Sequence, residues 1–242
     1  MEKNYGKFYE NYGEMFIVRH KNSVSRASGR GLCGIDKWFV ANGLNKSCRI
    51  ILVFSQIFCI FADNMKIGVF CSANQQIDHD FFELTKALGQ WIAQEGHTLV
   101  YGGVNCGLME CVAKAVHESG GRVIGIIPEI VAKEGRISQY VDVEILCDNL
   151  NDRKQLMMDQ SDAFIALPGG IGTLDELFTM AASATMDFHD KKVILYNMKG
   201  FWDGLVVMLD DLHTKKVTRK QWRNYIQVVS SFDEITSLLA QG

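Results

Sequence analysis

Short apolar segments alternate with helical patterns along the chain from residue 65 onward. The apolar segments, of which 163–167 (AFIAL) is the clearest, show no alternation of polarity, which is typical of strands buried on both faces. The stretches between them repeat apolar positions with the 3.6-residue period of a helix. This pattern predicts strands at 66–71, 98–101, 122–127, 143–146, 163–167 and 192–196. It predicts helices at 80–94, 107–119, 151–160, 173–186 and 202–212, with one or two more in the tail from residue 218.

Strands and helices in regular succession indicate an α/β domain over 65–242, built as a doubly wound parallel sheet with helices on both faces. In such sheets ligands bind at the carboxyl ends of the strands. The loops that directly follow the strands are therefore where we expect the functional residues.

Residues 1–64 form an atypical extension. Neither the helical nor the strand period holds for long before Arg49, and nine basic against five acidic residues give a net charge of +4, which leaves −7 for 65–242. The uncharged, mostly apolar run at 50–62 is shorter than the roughly 20 residues that span a bilayer. Three interpretations stay open: a buried strand or helix, a membrane-proximal anchor, or leader sequence outside the working protein. We favour the third, with a start codon placed too early, because Met65 directly opens the well-patterned domain.

The composition narrows the class of protein. Of 242 residues, 48% are hydrophobic and only two are proline, which indicates a globular protein with a large core and excludes disordered or collagen-like classes. The net charge of −3 gives no broad basic surface, so we expect no nucleic-acid partner. Seven cysteines without a C-x-x-C pair suggest intracellular thiols. We therefore expect a cytoplasmic protein with no membrane partner.

The most specific loop is the segment 167–176, LPGGIGTLDE, where a buried strand gives way to a predicted helix. Glycines at 169, 170 and 172 free the backbone, and successive N–H groups at the start of the helix make a seat for an anion such as phosphate. Thr173 and Glu176 also have the spacing of a capping box, in which both side chains only satisfy helix donors. We favour the phosphate site, because capping alone would not require three glycines.

Two other loops and one helix start carry unusual residues. The loops are 70–74, FCSAN, and 101–109, YGGVNCGLM, whose spacing is not that of the dinucleotide fingerprint GxGxxG. Arg153 and Lys154 fall near the first turn of a helix capped by Asn149 or Asn151, where cations oppose the helix dipole. An anionic ligand would explain them, and a solvated surface pair is the alternative. The six histidines form no metal-like cluster, so we expect no metal.

With these loops in view, residues 65–213 resemble the LOG (Lonely Guy) family, the cytokinin riboside 5'-monophosphate phosphoribohydrolases. The likeness rests on VFCS at 69–72, LVYGG at 99–103, GLM at 107–109, DRK at 152–154 and above all DAFIALPGGIGTLDE at 162–176, which carries the family signature PGGxGTxxE. The resemblance implies a Rossmann-like fold and a homodimer with the active site close to the subunit interface.

The resemblance also implies a hydrolase activity. Members of the family cleave the N-glycosidic bond of a purine nucleoside 5'-monophosphate, often an N6-modified AMP, and release the base and ribose 5-phosphate. By this resemblance, Arg153 and Glu176 are the catalytic pair. The residues implied to bind substrate or its phosphate are Ser72, Gly103, Glu134, Lys154, Gly169, Gly170, Ile171, Gly172, Thr173 and Asp175.

The chemistry of the two catalytic candidates is consistent with this activity. Cleavage builds positive charge on the ribose, as in the transition state of glycosidases. A carboxylate such as Glu176 can stabilise that charge and orient or deprotonate water, and Arg153 is suited to clamping the phosphate or an acceptor on the departing purine. No metal or redox cofactor is needed for this reaction.

Two points leave room for alternatives. The family's TWAQ stretch reads ASAT at 182–185, a difference that bears on base selectivity. A nucleotide- or cofactor-binding carrier on the same fold would share the glycine loop without needing the Arg153–Glu176 pair, since fold alone does not fix function. An NAD-dependent oxidoreductase is less favoured, because its fingerprint is missing from the sequence.

Overall fold

The structure is a computed structural model that describes residues 18–20, 23–25, 64–218 and 220–240. The chain divides into two units, Met1–Ala62 and Asp63–Gly242. In the first unit, two short strands, Val18–His20 and Ser23–Ser25, pair antiparallel. The apolar run at 50–62 lies outside the described residues, so its three interpretations stay predictions.

The second unit contains one sheet of seven strands, and every neighbouring pair in it is parallel. The predicted doubly wound α/β sheet is thereby confirmed, with the predicted strand ends correct to within one residue. The order across the sheet is β4-β3-β2-β1-β5-β6-β7. The strands are β1 (Lys66–Phe70), β2 (Thr98–Tyr101), β3 (Arg122–Pro128), β4 (Val143–Cys147), β5 (Ala163–Ala166), β6 (Lys192–Tyr196) and β7 (Gln227–Val229).

Helices connect the strands, and all five predicted helices occur with ends within two residues of the prediction. Among the strands and α-helices of the second unit, two elements were not predicted, the short helix α3 and the edge strand β7. With five and three residues, both are too short to display a period along the sequence. The helices are α1 (His79–Gln94), α2 (Gly107–Glu118), α3 (Glu129–Lys133), α4 (Leu150–Gln160), α5 (Ile171–Thr185), α6 (Asp203–Thr214) and α7 (Phe232–Leu239).

The sheet separates two apolar cores. One core receives α1, α2 and α7, and the other receives α4, α5 and α6. Successive residues of β5 alternate between them, since Ile165 belongs to the first core and Phe164 to the second. This explains why the strands read as continuous apolar runs. In the described part of the chain, no helix is both long and apolar enough to cross a bilayer.

The position of the functional loops follows from the strand order. The chain proceeds outward from β1 to β4 and then returns to place β5 on the other side of β1. The connections that leave β1 and β5 therefore turn in opposite directions, which opens a crevice at the carboxyl ends of these two strands. The loops remain in contact at their base, where the Ser72 N–H donates to the Pro168 carbonyl at 3.0 Å.

A close contact fixes the start of α2 against the loop after β1. Gly107 has a φ of +58°, and a Cβ built there would lie 2.5 Å from the carbonyl carbon of Ala73. The next residue, Leu108, donates its N–H to the Ser72 carbonyl at 2.9 Å. Only glycine can adopt this backbone conformation at so small a separation.

We expect the substitution Gly107→Ala to lower the free energy of unfolding by about 2 kcal/mol or more, because it adds both a left-handed strain and a steric overlap. Gly204→Ala is the matched control, since a Cβ on Gly204 of α6 meets nothing within 4 Å and helical alanine is favoured. Urea unfolding followed by circular dichroism measures both. Equal stability of the two variants would contradict the proposed contact.

Candidate functional site

A cavity of about 340 Å³ lies at the crevice between the loops that follow β1 and β5. Six of the twelve predicted site residues line it, and the structure brings them together from three separate parts of the chain. The other six (Gly103, Glu134, Lys154, Gly169, Ile171 and Asp175) do not line it. The lining residues among the predicted set are Ser72, Arg153, Gly170, Gly172, Thr173 and Glu176.

Arg153 and Glu176 form an ion pair at the wall of the cavity, in which Arg153 Nη2 donates to Glu176 Oε1. Their side chains are only 15% and 9% exposed, which contradicts the interpretation of Arg153 as part of a solvated surface pair. The helix α4 that carries Arg153 is capped by Asn149, whose side chain accepts from the N–H groups of Asn151 and Asp152. Of the two predicted caps, Asn149 is therefore the one in use.

The buried position of Glu176 shifts the protonation equilibrium of its carboxyl. Burial raises the pKa of the Glu176 carboxyl, because a charge is poorly solvated there, and the Arg153 guanidinium only partly offsets this. The carboxyl is therefore suited to taking up or releasing a proton closer to neutral pH than an exposed glutamate. Burial, followed by the charge of Glu176, also raises the pKa of the Cys71 thiol in the same cavity wall.

The start of α5 is the place where the sequence predicts an anion seat. The helix begins at Ile171, two residues earlier than predicted, and no side chain caps it at Gly170. Its first-turn N–H groups have no intrahelical partners, as at every helix start, and they carry the positive end of the helix dipole. The capping-box interpretation is wrong, because Thr173 lies inside the helix and Glu176 pairs with Arg153.

The presence of glycine at 169, 170 and 172 has two different explanations. A Cβ on Gly169 would lie 2.1 Å from Thr173 Oγ1, so packing alone explains that position. A Cβ on Gly170 or Gly172 would meet nothing within 4 Å, and both residues line the cavity. Packing within the protein does not demand glycine there. The missing side chains leave the backbone of the helix start accessible to a bound molecule.

A second ion pair runs beside the first. Lys154, the next residue on α4, lies 2.8 Å from the carboxylate of Asp175, the residue before Glu176 on α5. Lys154 is largely buried and Asp175 is half-exposed, and neither lines the cavity. The two pairs together hold α4 against α5. Within the structure, Lys154 and Asp175 thus position the helices that carry Arg153 and Glu176.

The remaining predicted residues lie around the rim. Ser72 lines the cavity and its Oγ accepts from the Asn74 N–H at 3.0 Å. Gly103 has a φ of +73° and its carbonyl accepts from the Ser138 N–H at 2.9 Å. The Glu134 carboxylate lies outside the cavity and accepts from the Arg136 guanidinium at 3.3 Å. Ile171 is almost fully exposed.

Sequence reasoning missed Arg136, which lines the cavity from the segment after α3. Nothing in its local pattern distinguishes it from an ordinary surface arginine of a loop. Its place follows from a long-range contact, in which the Asn105 N–H donates to the Arg136 carbonyl at 3.0 Å. Met109 also lines the cavity. Its signal was present in the GLM motif at 107–109, but it was not selected as a site residue.

Comparison with known proteins gives a consistent set of relatives. A family model described as "Possible lysine decarboxylase" matches residues 109–239. A cytokinin riboside 5'-monophosphate phosphoribohydrolase of Mycobacterium tuberculosis is 38% identical over 146 residues, which cover 60% of this chain and 78% of that protein. One of Mycobacterium marinum is 34% identical over 177 residues, which cover 73% of this chain and 94% of that protein.

Among solved structures, the molybdenum cofactor binding protein from Rippkaea orientalis has a similar fold. It matches with a TM-score of 0.58 at 27% identity, covering 74% of this chain and 98% of that one. The family model spans more than half of the present chain, and the mycobacterial relatives are matched over most of their length. The chain therefore belongs to the LOG family, the family of the cytokinin riboside 5'-monophosphate phosphoribohydrolases.

Proposed function

We propose that residues 65–242 form a phosphoribohydrolase that cleaves the N-glycosidic bond of purine nucleoside 5'-monophosphates, the class that includes the N6-modified adenosine monophosphates for which its relatives are named. The observation that carries the proposal is the buried Arg153–Glu176 pair, which faces the same cavity as the uncapped start of α5. In the reaction, water adds its hydroxyl to C1' of the ribose and a proton to the leaving base.

The start of α5 binds the 5'-phosphate. The N–H groups around Gly170 and Gly172 donate to the phosphate oxygens, and the helix dipole favours the negative charge. Thr173, which is buried in the wall of the same cavity, adds a hydroxyl. Six residues stay proposed binding residues by the family resemblance, although they do not line the cavity: Gly103, Glu134, Lys154, Gly169, Ile171 and Asp175.

Glu176 acts on the ribose and the attacking water. As the C1'–N bond breaks, positive charge builds on the ribose, and a carboxylate in a poorly solvated wall stabilises it more strongly than one in water. The raised pKa of Glu176 also makes it a better proton acceptor for the attacking water. Arg153 holds this carboxylate and remains protonated throughout, so it acts as an electrostatic clamp and not as a base.

The carrier function is the weaker candidate. Its support is the similar fold of the Rippkaea protein, whose sequence is 27% identical to this chain. The mycobacterial phosphoribohydrolases are 34–38% identical to it. A carrier could use the glycine loop, but it would have no need for a buried carboxylate with a raised pKa facing the ligand. Variants of the ion pair therefore separate the two functions.

We expect Glu176→Gln and Arg153→Ala each to abolish base release from purine nucleoside monophosphates by the full chain. Loss of a partner from a buried pair costs roughly 3–5 kcal/mol, which is less than the stability of most domains, so both variants should remain folded. The glutamine amide can still accept from Arg153, so Glu176→Gln is the milder change. Chromatography of the released base measures activity, and circular dichroism checks the fold.

The matched control is Glu83→Gln, which makes the same chemical change on the exposed face of α1 and should leave base release unaltered. Substrates should include AMP, N6-isopentenyl-AMP and the matching nucleosides, which lack the phosphate and should not be cleaved. Near-normal turnover by Glu176→Gln would refute the assigned role. A folded wild type that binds nucleotide and releases no base would favour the carrier.

The pH dependence of hydrolysis should report the environment of Glu176. The carboxyl must be ionised to act, so kcat/KM falls as the pH drops through its pKa. Because burial raises that pKa, the fall should begin at a higher pH than an exposed glutamate would give. Rates measured at constant ionic strength, with circular dichroism at each pH, test this. A rate that stays constant down to the ordinary range of glutamate would contradict it.

We also propose that the chain acts as a homodimer in the cytoplasm. Three large apolar side chains at the two ends of α5 (Ile171, Met186 and Phe188) are mostly exposed, which is typical of surface that a second copy covers. The four cysteines in the described part are free thiols, as in a reducing compartment. Light scattering of the full chain should give twice the chain mass, and a monomer would refute the dimer. Recovery of the native protein in a membrane or secreted fraction would refute the compartment.

A further inference from the structure

Arg136 is held at the rim of the cavity by its backbone. Its carbonyl accepts from the Asn105 N–H at 3.0 Å, and the Ser138 N–H donates to the Gly103 carbonyl at 2.9 Å. Between these bonds, Ile137 forms an antiparallel bridge with Val104. Residues 136–138 thus lie as a short added strand along the loop after β2. This fixes the position of Arg136 in the cavity lining.

The loop after β2 lies at the opposite end of the cavity from the phosphate seat. The strand order places β1 between β2 and β5, so the loops after β2 and β5 are about 10 Å apart, two strand spacings. The Arg153 guanidinium lies between these two loops. It contacts Glu176 on α5, and a Cβ built on Gly102, in the loop after β2, would lie 3.3 Å from its Nη1. If the phosphate binds at α5 and C1' lies near Glu176, as proposed above, the end of the cavity that Arg136 lines is the one left for the base.

Arg136 brings a positive charge to this end of the cavity. Arg153 is neutralised by Glu176 within the wall of the cavity. Arg136 is half-exposed and is paired at 3.3 Å with Glu134, which is half-exposed itself and does not line the cavity. A guanidinium offers only donors, and it pairs in a bidentate manner with the N7 and O6 acceptors of a 6-oxopurine. The 6-amino group of adenine presents a donor at that position, and an N6-alkyl group adds bulk there.

We propose that Arg136 contacts the base, donating to N7 and O6 of the purine, and that it extends the substrates of this chain to 6-oxopurine nucleoside 5'-monophosphates. The inference rests on the proposed hydrolase function for the orientation of the nucleotide. Arg136 is then a specificity-determining residue, whose removal weakens catalysis with some bases and not with others.

The test compares the full-length wild type with Arg136→Gln on inosine 5'-monophosphate, AMP and N6-isopentenyl-AMP at one ionic strength. We expect Arg136→Gln to lower kcat/KM for the inosine nucleotide by about tenfold or more, while that for N6-isopentenyl-AMP changes by less than about twofold. Lys133→Gln is the matched control. It removes the same charge three residues earlier, from an exposed side chain that pairs with Glu129 and lies outside the cavity lining.

Each other outcome overturns the inference in a recognisable way. An equal loss with all three nucleotides would place Arg136 on a group that all three share, the phosphate, the ribose or N7, and would overturn the contact with O6. Unchanged kinetics would exclude a contact with substrate. If the wild type hydrolyses none of them, the proposed function fails. Calorimetric binding of inosine 5'-monophosphate and N6-isopentenyl-AMP to wild type and Arg136→Gln then still tests the contact. A tenfold change in the ratio of the two dissociation constants supports it, and an unchanged ratio refutes it.

Discussion

Two opposite charges, Arg153 on α4 and Glu176 on α5, meet in the wall of the cavity with little access to water. Taking either charge out of water alone would cost several kcal/mol, so each requires the other. A second ion pair, between Lys154 and Asp175, joins the same two helices through the residues next to Arg153 and Glu176. These contacts fix how α4 lies against α5, and thereby where the carboxylate stands relative to the anion seat.

The pair also affects the charge of the cavity wall. Because Arg153 and Glu176 cancel, the pair adds no net charge there, and the uncapped start of α5 contributes the positive end of a helix dipole. Burial raises the pKa of the Glu176 carboxyl and the contact with Arg153 offsets this only in part, so the carboxyl in the cavity wall takes up a proton more readily than an exposed glutamate. Members of the LOG fold that lack such a pair could retain the anion seat and bind without cleaving.

Close backbone approach makes room for these groups. Gly107 lets α2 begin against the loop after β1, and Gly102 leaves space for the Arg153 guanidinium and for Met109, whose Cε would lie 2.6 Å from an added Cβ. Gly170 and Gly172 face open space at the cavity. Glycine therefore has two roles in this site: some positions admit the protein's own atoms, and others leave the backbone free for a ligand.

The sequence by itself determined the parallel sheet, the ends of its main strands and helices, and the glycine-rich turn into a helix in 167–176, because these depend on residues close together in the chain. It also marked Arg153, since a cation in the first turn of a helix opposes the dipole there. It did not show that Glu176 forms an ion pair with Arg153, and it did not find β7 or the place of Arg136 beside the loop after β2. These features depend on contacts between residues that are 23 or more positions apart in the chain, as Arg153 and Glu176 are. Only the strand order of the folded sheet brings such residues into contact.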